Sequence, residues 1–177
     1  MKRHQPKHIY VDNQIYFITS HIHKGEFLLD TDSKKDKFLL KIFTFAWEDG
    51  IDLRAWVILK NHYHILFKAL EDRNISEYIG RIHRGFTFEM NALEEKRERR
   101  LWKNYWDWCM RDERDYWKHF NYIHNNPIKH GVVGNTDSLK KYRYSSYWNY
   151  FRLNGNKWLM NVMEAYPIVD FTVENDE

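Results

Sequence analysis

Cysteine, proline and glycine are all scarce in this chain, at one, three and seven among 177 residues. A lone thiol, Cys109, excludes an internal disulfide and a cysteine zinc cluster, and with no activating neighbour it reads as a packed side chain. So few prolines and glycines leave no flexible linker or low-complexity tract. Nor is there an uninterrupted apolar run of about 18 residues, which excludes a membrane-spanning helix. The first residues, MKRHQPKH, lack the apolar stretch of a signal peptide. A soluble, cytoplasmic chain with no membrane partner is therefore expected. No P-loop pattern occurs, so no nucleotide cofactor is expected.

Aromatic residues, in contrast, are plentiful. They make up 18% of the chain, with 8 Trp and 12 Tyr, against a hydrophobic content of 43% that is ample for a buried core. Setting aside the three acids of the last four residues raises the formal charge of the remainder from +3 to +6. Cations mixed with flat stacking faces are what single-stranded nucleic acid binding uses, although most aromatics in any domain are core filler.

The periodicities alternate between strand and helix. QIYFITSHIH (Gln14 to His23) is rich in β-branched and aromatic residues and reads as a first strand. Phe38, Leu39, Ile42, Phe45 and Ala46 recur at helical spacing, with Asp32 and Ser33 as caps and Asp49-Gly50 as the stop. LRAWVILK and HYHILFKAL form a hairpin about Lys60 and Asn61. Asn74, with Glu77 three residues on, resembles a capping box opening a second helix toward Met90. Strand, helix, two strands, helix is the order of an α+β, ferredoxin-like fold with an antiparallel sheet.

The hairpin carries the chemistry. His62 and His64 are two apart in an extended run, so both imidazoles leave one face of the sheet and can meet one metal ion, while Tyr63, Ile65 and Phe67 face the core. The spacing alone is weak evidence. Ten histidines in a chain of this length give about half a His-x-His pair by chance, and His21 with His23 is another such pair, read here as ordinary strand residues.

From Asp112, DERDYWKHFNYIHNNP reads as a helix ending near Asn126, because the residue before proline disfavours helical geometry. Tyr116, Phe120 and Ile123 form its buried stripe. Asp115, His119, Tyr122 and Asn126 share the neighbouring arc, and Tyr122 and Asn126, four apart, reach one point in space. On this spacing alone the commoner reading is that Tyr122 is a packed helix residue and Asn126 a C-terminal cap.

Taken in order, ITSHIHKG, WVILKNHYHILF, LWKNYWDWCMRDERDYWKHFNYIHNNPIKHGVV and YRYSSYWNY resemble the REP-associated tyrosine transposases, a branch of the insertion-sequence-200-like single-tyrosine HUH transposases. The resemblance implies that His62, His64 and Asn126 hold a divalent ion, Mg²⁺ or Mn²⁺, and that Tyr122 is the nucleophile. It implies nicking and rejoining of single-stranded DNA hairpins at palindromic repeats through a 5′-phosphotyrosine. Many relatives carry proline where this chain has Lys60, and Asn126 replaces the glutamine of the wider family. His119 and Asp115 are candidates for catalytic support. Arg81, Arg84, Lys96, Arg97, Arg99, Arg100, Lys129, Lys140 and Arg143 are candidate DNA contacts, and the aromatics between Tyr142 and Trp148 are candidates for stacking unpaired bases. A transposase catalytic domain over residues 1–135 and a C-terminal extension over 136–177, packed on it, are expected, in a monomer or homodimer. A non-catalytic hairpin-binding module and a metal hydrolase using water are the alternatives.

Overall fold

The computed structural model describes residues 10–69 and 75–171. A four-stranded sheet is built from β1 (Ile15–His21), β2 (Ile51–Ile58), β3 (His62–Ala69) and β4 (Trp106–Cys109), all neighbours antiparallel, in the order β2-β3-β1-β4. Helices α1 (Asp32–Glu48) and α2 (Ile75–Leu93) complete the β1-α1-β2-β3-α2-β4 core, the ferredoxin-like arrangement expected from the sequence. Then come α3 (Glu113–Lys129), the short α4 (Thr136–Leu139) and α5 (Tyr147–Ala165). Among the described residues, no helix is long and apolar enough to cross a membrane.

Strand alternation divides the interior in two. Tyr63, Ile65 and Phe67 lie on the α1–α2 side with Phe38, Ile42, Tyr78, Ile79, Ile82 and Phe86, all fully buried, each contributing about 1.5–3 kcal/mol of transfer free energy. Phe17, Val57 and Leu66 face the other way, onto Phe120 and Ile123 of α3 and Leu159 of α5. Gly85 of α2 faces α1, where a Cβ would touch the Lys41 and Phe45 side chains at ordinary contact distance.

Two local expectations change. Helix α1 is capped by Thr31, whose hydroxyl accepts from Lys34 N at 3.3 Å, so Asp32 and Ser33 are already helical. Helix α3 does not stop before Pro127 but runs through it to Lys129. The proline has no N–H to give the Ile123 carbonyl, so the last turn carries it at the loss of one helical hydrogen bond. His130 N still reaches Asn126 O at 3.0 Å, and Val132 N takes up the Pro127 carbonyl at 2.8 Å before Gly131, at φ 62°, completes the exit. The capping residue expected for α2, Asn74, lies outside the described residues.

The edge of β2 is sealed by the segment from Tyr144 to Ser146. Ile58 N donates to Tyr144 O at 2.8 Å, Ser146 N to Trp56 O at 2.9 Å, and Trp56 N to Ser146 Oγ at 3.0 Å. Ser146 Oγ also lies 2.6 Å from His124 Nε2, which ties α3 to this edge. On its other flank α3 is held by α5, with Asn121 Nδ2 donating to Val162 O at 3.1 Å and Tyr166 O at 2.7 Å.

Candidate functional site

Two elements bring the sequence-selected residues together. The β2–β3 turn is tight, with Leu59 N donating to His62 O at 2.8 Å across Lys60 and Asn61, so a lysine serves in the turn where proline is common in the resembled family. The carbonyls of those two residues anchor the turn by accepting from Leu29 N at 2.8 Å and Ile22 N at 2.6 Å. His62 and His64 then project toward α3, where Tyr122 and Asn126 face them across a cavity of about 580 Å³ lined by both histidines and Tyr122.

The His62 ring lies between two amide oxygens, with Nδ1 2.7 Å from Asn61 Oδ1 and Nε2 3.1 Å from Asn126 Oδ1. Burial, reinforced by the nearby His21 and opposed by Asn126, lowers its pKa to about 3. The ring is therefore neutral at pH 7 and has one N–H for two acceptors. Given to Asn61, that proton leaves an Nε2 lone pair facing an oxygen lone pair, an arrangement that a cation between them would relieve. His64 is also held neutral, by burial first and His62 second, and both of its ring nitrogens are buried without a hydrogen-bond partner. Two neutral imidazoles and an amide oxygen fit a divalent ion. Among the described residues no three His, Cys, Asp or Glu side chains are grouped as metal ligands, and the oxygen next to His62 Nε2 is that of the Asn126 amide.

Tyr122 is 5% exposed and its ring centroid lies 5.1 Å from that of His64. The Lys129 ammonium stands 5.4 Å from the Tyr122 ring centre and pairs with Asp170 at 2.8 Å. Phe171 crosses the Tyr122 ring edge-on at 5.4 Å and stacks flat on His119 at 3.9 Å. The chain beyond α5 thus returns across the site.

The arc of α3 expected to be polar is wholly buried, and its members divide. Asp115 takes Asp112's capping bond through its own backbone N–H. Its carboxylate, ionised more readily than usual against its own burial, accepts from Trp108 Nε1 at 3.1 Å and Arg111 N at 3.3 Å. His119 packs between Phe17 and Phe171, with Nδ1 2.8 Å from Asp115 O. Neither lines the cavity, so these two residues fasten the start of α3 rather than border Tyr122.

The cavity recruits residues that sequence reasoning passed over. His21 is no ordinary strand residue, since it pairs with His62 across the sheet with ring centroids 4.8 Å apart, while His23 lies in an exposed 3₁₀ turn. Thr19, opposite His64, lines the same wall, as does His130, 4.7 Å from His62. Alternation of Phe17, Thr19 and His21 on one strand face was the signal available for two of them.

Among the candidate DNA contacts only Lys129 borders this cavity. Lys140 and Arg143 line a second cleft. Arg81 is engaged by Glu48 and Asp49, Arg84 by Glu77, and Arg99 by Glu94 at 2.7 Å. Lys96 pairs with the same Glu94 at 3.5 Å, and Arg100 bonds Trp102 O and Asn104 Oδ1. Arg97 is exposed on the same loop, away from the histidines. Of the Tyr142–Trp148 aromatics, Tyr144 and Tyr147 are buried and Trp148 is open.

Known proteins resemble this chain in sequence and in fold. A REP-associated tyrosine transposase of Escherichia coli is 31% identical over 84 residues, 46% of this chain and 47% of its own. A Haemophilus influenzae protein provisionally given the same name is 33% identical over 103 residues, 52% of this chain and 57% of its own. Over about half its length the chain is similar to REP-associated tyrosine transposases. The matches span about half the length of these relatives. A REP-associated tyrosine transposase solved with a bound REP hairpin superposes with a TM-score of 0.76 at 20% identity, covering 96% of this chain and 95% of that one, which establishes the α+β transposase fold. No family model matches the chain.

Proposed function

We propose that the protein nicks and rejoins single-stranded DNA at hairpin-forming repeats, with Tyr122 as nucleophile. The observation that carries this reading is the convergence of His62 Nε2 and Asn126 Oδ1, 3.1 Å apart, beside the unpartnered His64 and the Tyr122 ring. The likeness to REP-associated tyrosine transposases, one of them solved with a REP hairpin, supports a DNA hairpin as partner.

His62, His64 and Asn126 would hold Mg²⁺ or Mn²⁺, and a bound ion would polarise the scissile phosphate and offset charge developing on it. The Tyr122 oxygen attacks phosphorus as its proton is lost, the bond to the 3′ oxygen breaks, and that oxygen leaves as a 3′-hydroxyl after taking up a proton. The product is a 5′-phosphotyrosine, and reversal by another 3′-hydroxyl reseals the strand without an external energy source. A phenol is barely ionised at neutral pH. The Lys129 ammonium stands 5.4 Å from the ring centre, on the wall of the same cavity.

The test is incubation of wild type and Tyr122→Phe with labelled hairpin oligonucleotides and Mn²⁺, followed by denaturing electrophoresis. A metal-dependent covalent band from wild type alone supports the proposal. Cleavage that survives Tyr122→Phe would assign a water nucleophile. Hairpin binding with no adduct would assign a non-catalytic binding module, a reading favoured by the cover that Phe171 places over Tyr122.

A further inference from the structure

A second cleft, of about 880 Å³, lies between β2, α4 and the start of α5, and it shares no lining residue with the histidine cavity. Its size matches that of small-ligand sites, ~300–1,000 Å³. We propose that it binds an unpaired nucleotide of the DNA strand, with the base against Trp148 and Phe151 and the phosphate against Lys141 and Arg143. The proposal rests on the single-stranded DNA reading above and names a place for the substrate outside the reacting centre.

Three observations carry it. Trp148 is 43% exposed at the cleft and lies nearly parallel to Phe151, with ring centroids 5.6 Å apart at 30°, so a flat face is open to solvent where a core aromatic would be covered. The Lys140 ammonium stands 4.8 Å from the Phe151 ring centre and is matched by Asp137 at 2.7 Å, the only acid in the lining. Lys141 has no ion pair among the described residues, and Arg143, 64% exposed in its side chain, pairs with Asp36 at 3.1 Å and stands 5.5 Å from the Tyr144 ring centre, so the cleft keeps a positive excess. Open aromatic faces combined with excess cations suit a polyanion with planar bases, and oppose an acid-poor apolar peptide.

The position is also suitable. The turn after α3 leads from Gly131 and Val132, in the wall of the histidine cavity, to Asn135, in the wall of the cleft. A strand leaving Tyr122 past Lys129 would pass along this turn. The Asn149 amide, also in the lining, can bond a base edge.

The experiment measures affinity for a fluorescent ten-nucleotide thymidine DNA single strand and, in parallel, Tyr122 adduct formation on hairpins, for wild type, Trp148→Ala and Lys141→Glu. Both altered side chains are exposed, and circular dichroism reports their folding. Each stacked base is worth roughly ten- to a hundredfold in affinity, so Trp148→Ala should weaken single-strand binding at least tenfold. Lys141→Glu should weaken it severalfold and flatten its salt dependence. Wild-type affinity in both variants, or no single-strand binding by wild type, overturns the cleft proposal whether or not an adduct forms. Trp148-dependent binding without any adduct upholds the cleft and sinks the nicking reading.

Discussion

Asn126 Oδ1 of α3 stands 3.1 Å from His62 Nε2 of β3, so the helix carrying Tyr122 and the strand carrying both histidines meet through one amide. If that convergence is a metal site, adding Mn²⁺ stabilises the fold. An ion at a hundredfold excess over its Kd contributes about 2.7 kcal/mol, which for a chain of this size raises Tm by roughly 5–10 °C. His64→Ala should abolish the rise, and an unchanged Tm in wild type would contradict the site. Differential scanning fluorimetry with and without chelator reads this independently of catalysis.

The Lys129–Asp170 pair and Phe171 hold the returning chain over Tyr122. A half-exposed ion pair and the contacts of Phe171 with Tyr122 and His119 together contribute about 1 kcal/mol. Asp170→Ala combined with Phe171→Ala should therefore speed adduct formation about fivefold and lower Tm by only about 2–4 °C. A slower reaction would show that these residues assist rather than cover the site.

Ser146 Oγ accepts from Trp56 N at 3.0 Å and sits 2.6 Å from His124 Nε2, all buried. Ser146→Ala leaves a backbone donor and an imidazole without partners, at a cost of about 2–4 kcal/mol by urea unfolding. Ser146→Thr, which keeps the hydroxyl, should recover part of it.

His83 stacks face to face on Trp102 at 4.5 Å, bonds Tyr63 Oη at 2.9 Å, and has its pKa lowered by burial to about 3. Between that value and the ordinary 6.5 the unfolded chain takes up a proton that the native ring refuses. Its contribution is therefore complete above pH 6.5 and is lost as pH falls, about 2 kcal/mol by pH 5. His83→Gln should reduce the stability difference between pH 7 and pH 5 by that amount; an identical difference in both proteins would show that His83 already titrates in the folded state.

The candidate site's geometry was legible in part because strand alternation and helical spacing fix direction without knowledge of the tertiary fold, while the roles of its residues came only from the resemblance. Those two rules place His62 and His64 on one face and Tyr122 with Asn126 on one arc. What they cannot give is which strands become neighbours. His21 entered the cavity through its register opposite His62, and β4 formed from four residues whose Trp106 and Trp108 remain half exposed. Asp115 and His119 share the same inward-turned arc of α3 but bond at its start, and it is Tyr122 and Asn126 in its C-terminal half that lie beside the histidines. The basic residues of α2 and the following loop looked available in sequence, but most are matched by acids brought close only by folding.

The seal that Tyr144 to Ser146 place on β2 bears on how far the chain can be shortened. A protein cut after residue 135 would keep the sheet, both histidines and Tyr122, yet it would bare the hydrogen-bonding edge of an eight-residue strand, IDLRAWVI, whose second half is buried. Exposed apolar edges recruit strands from other molecules. The shortened chain should accordingly be sticky before it is inactive, and the YSS segment doubles as a guard against self-association.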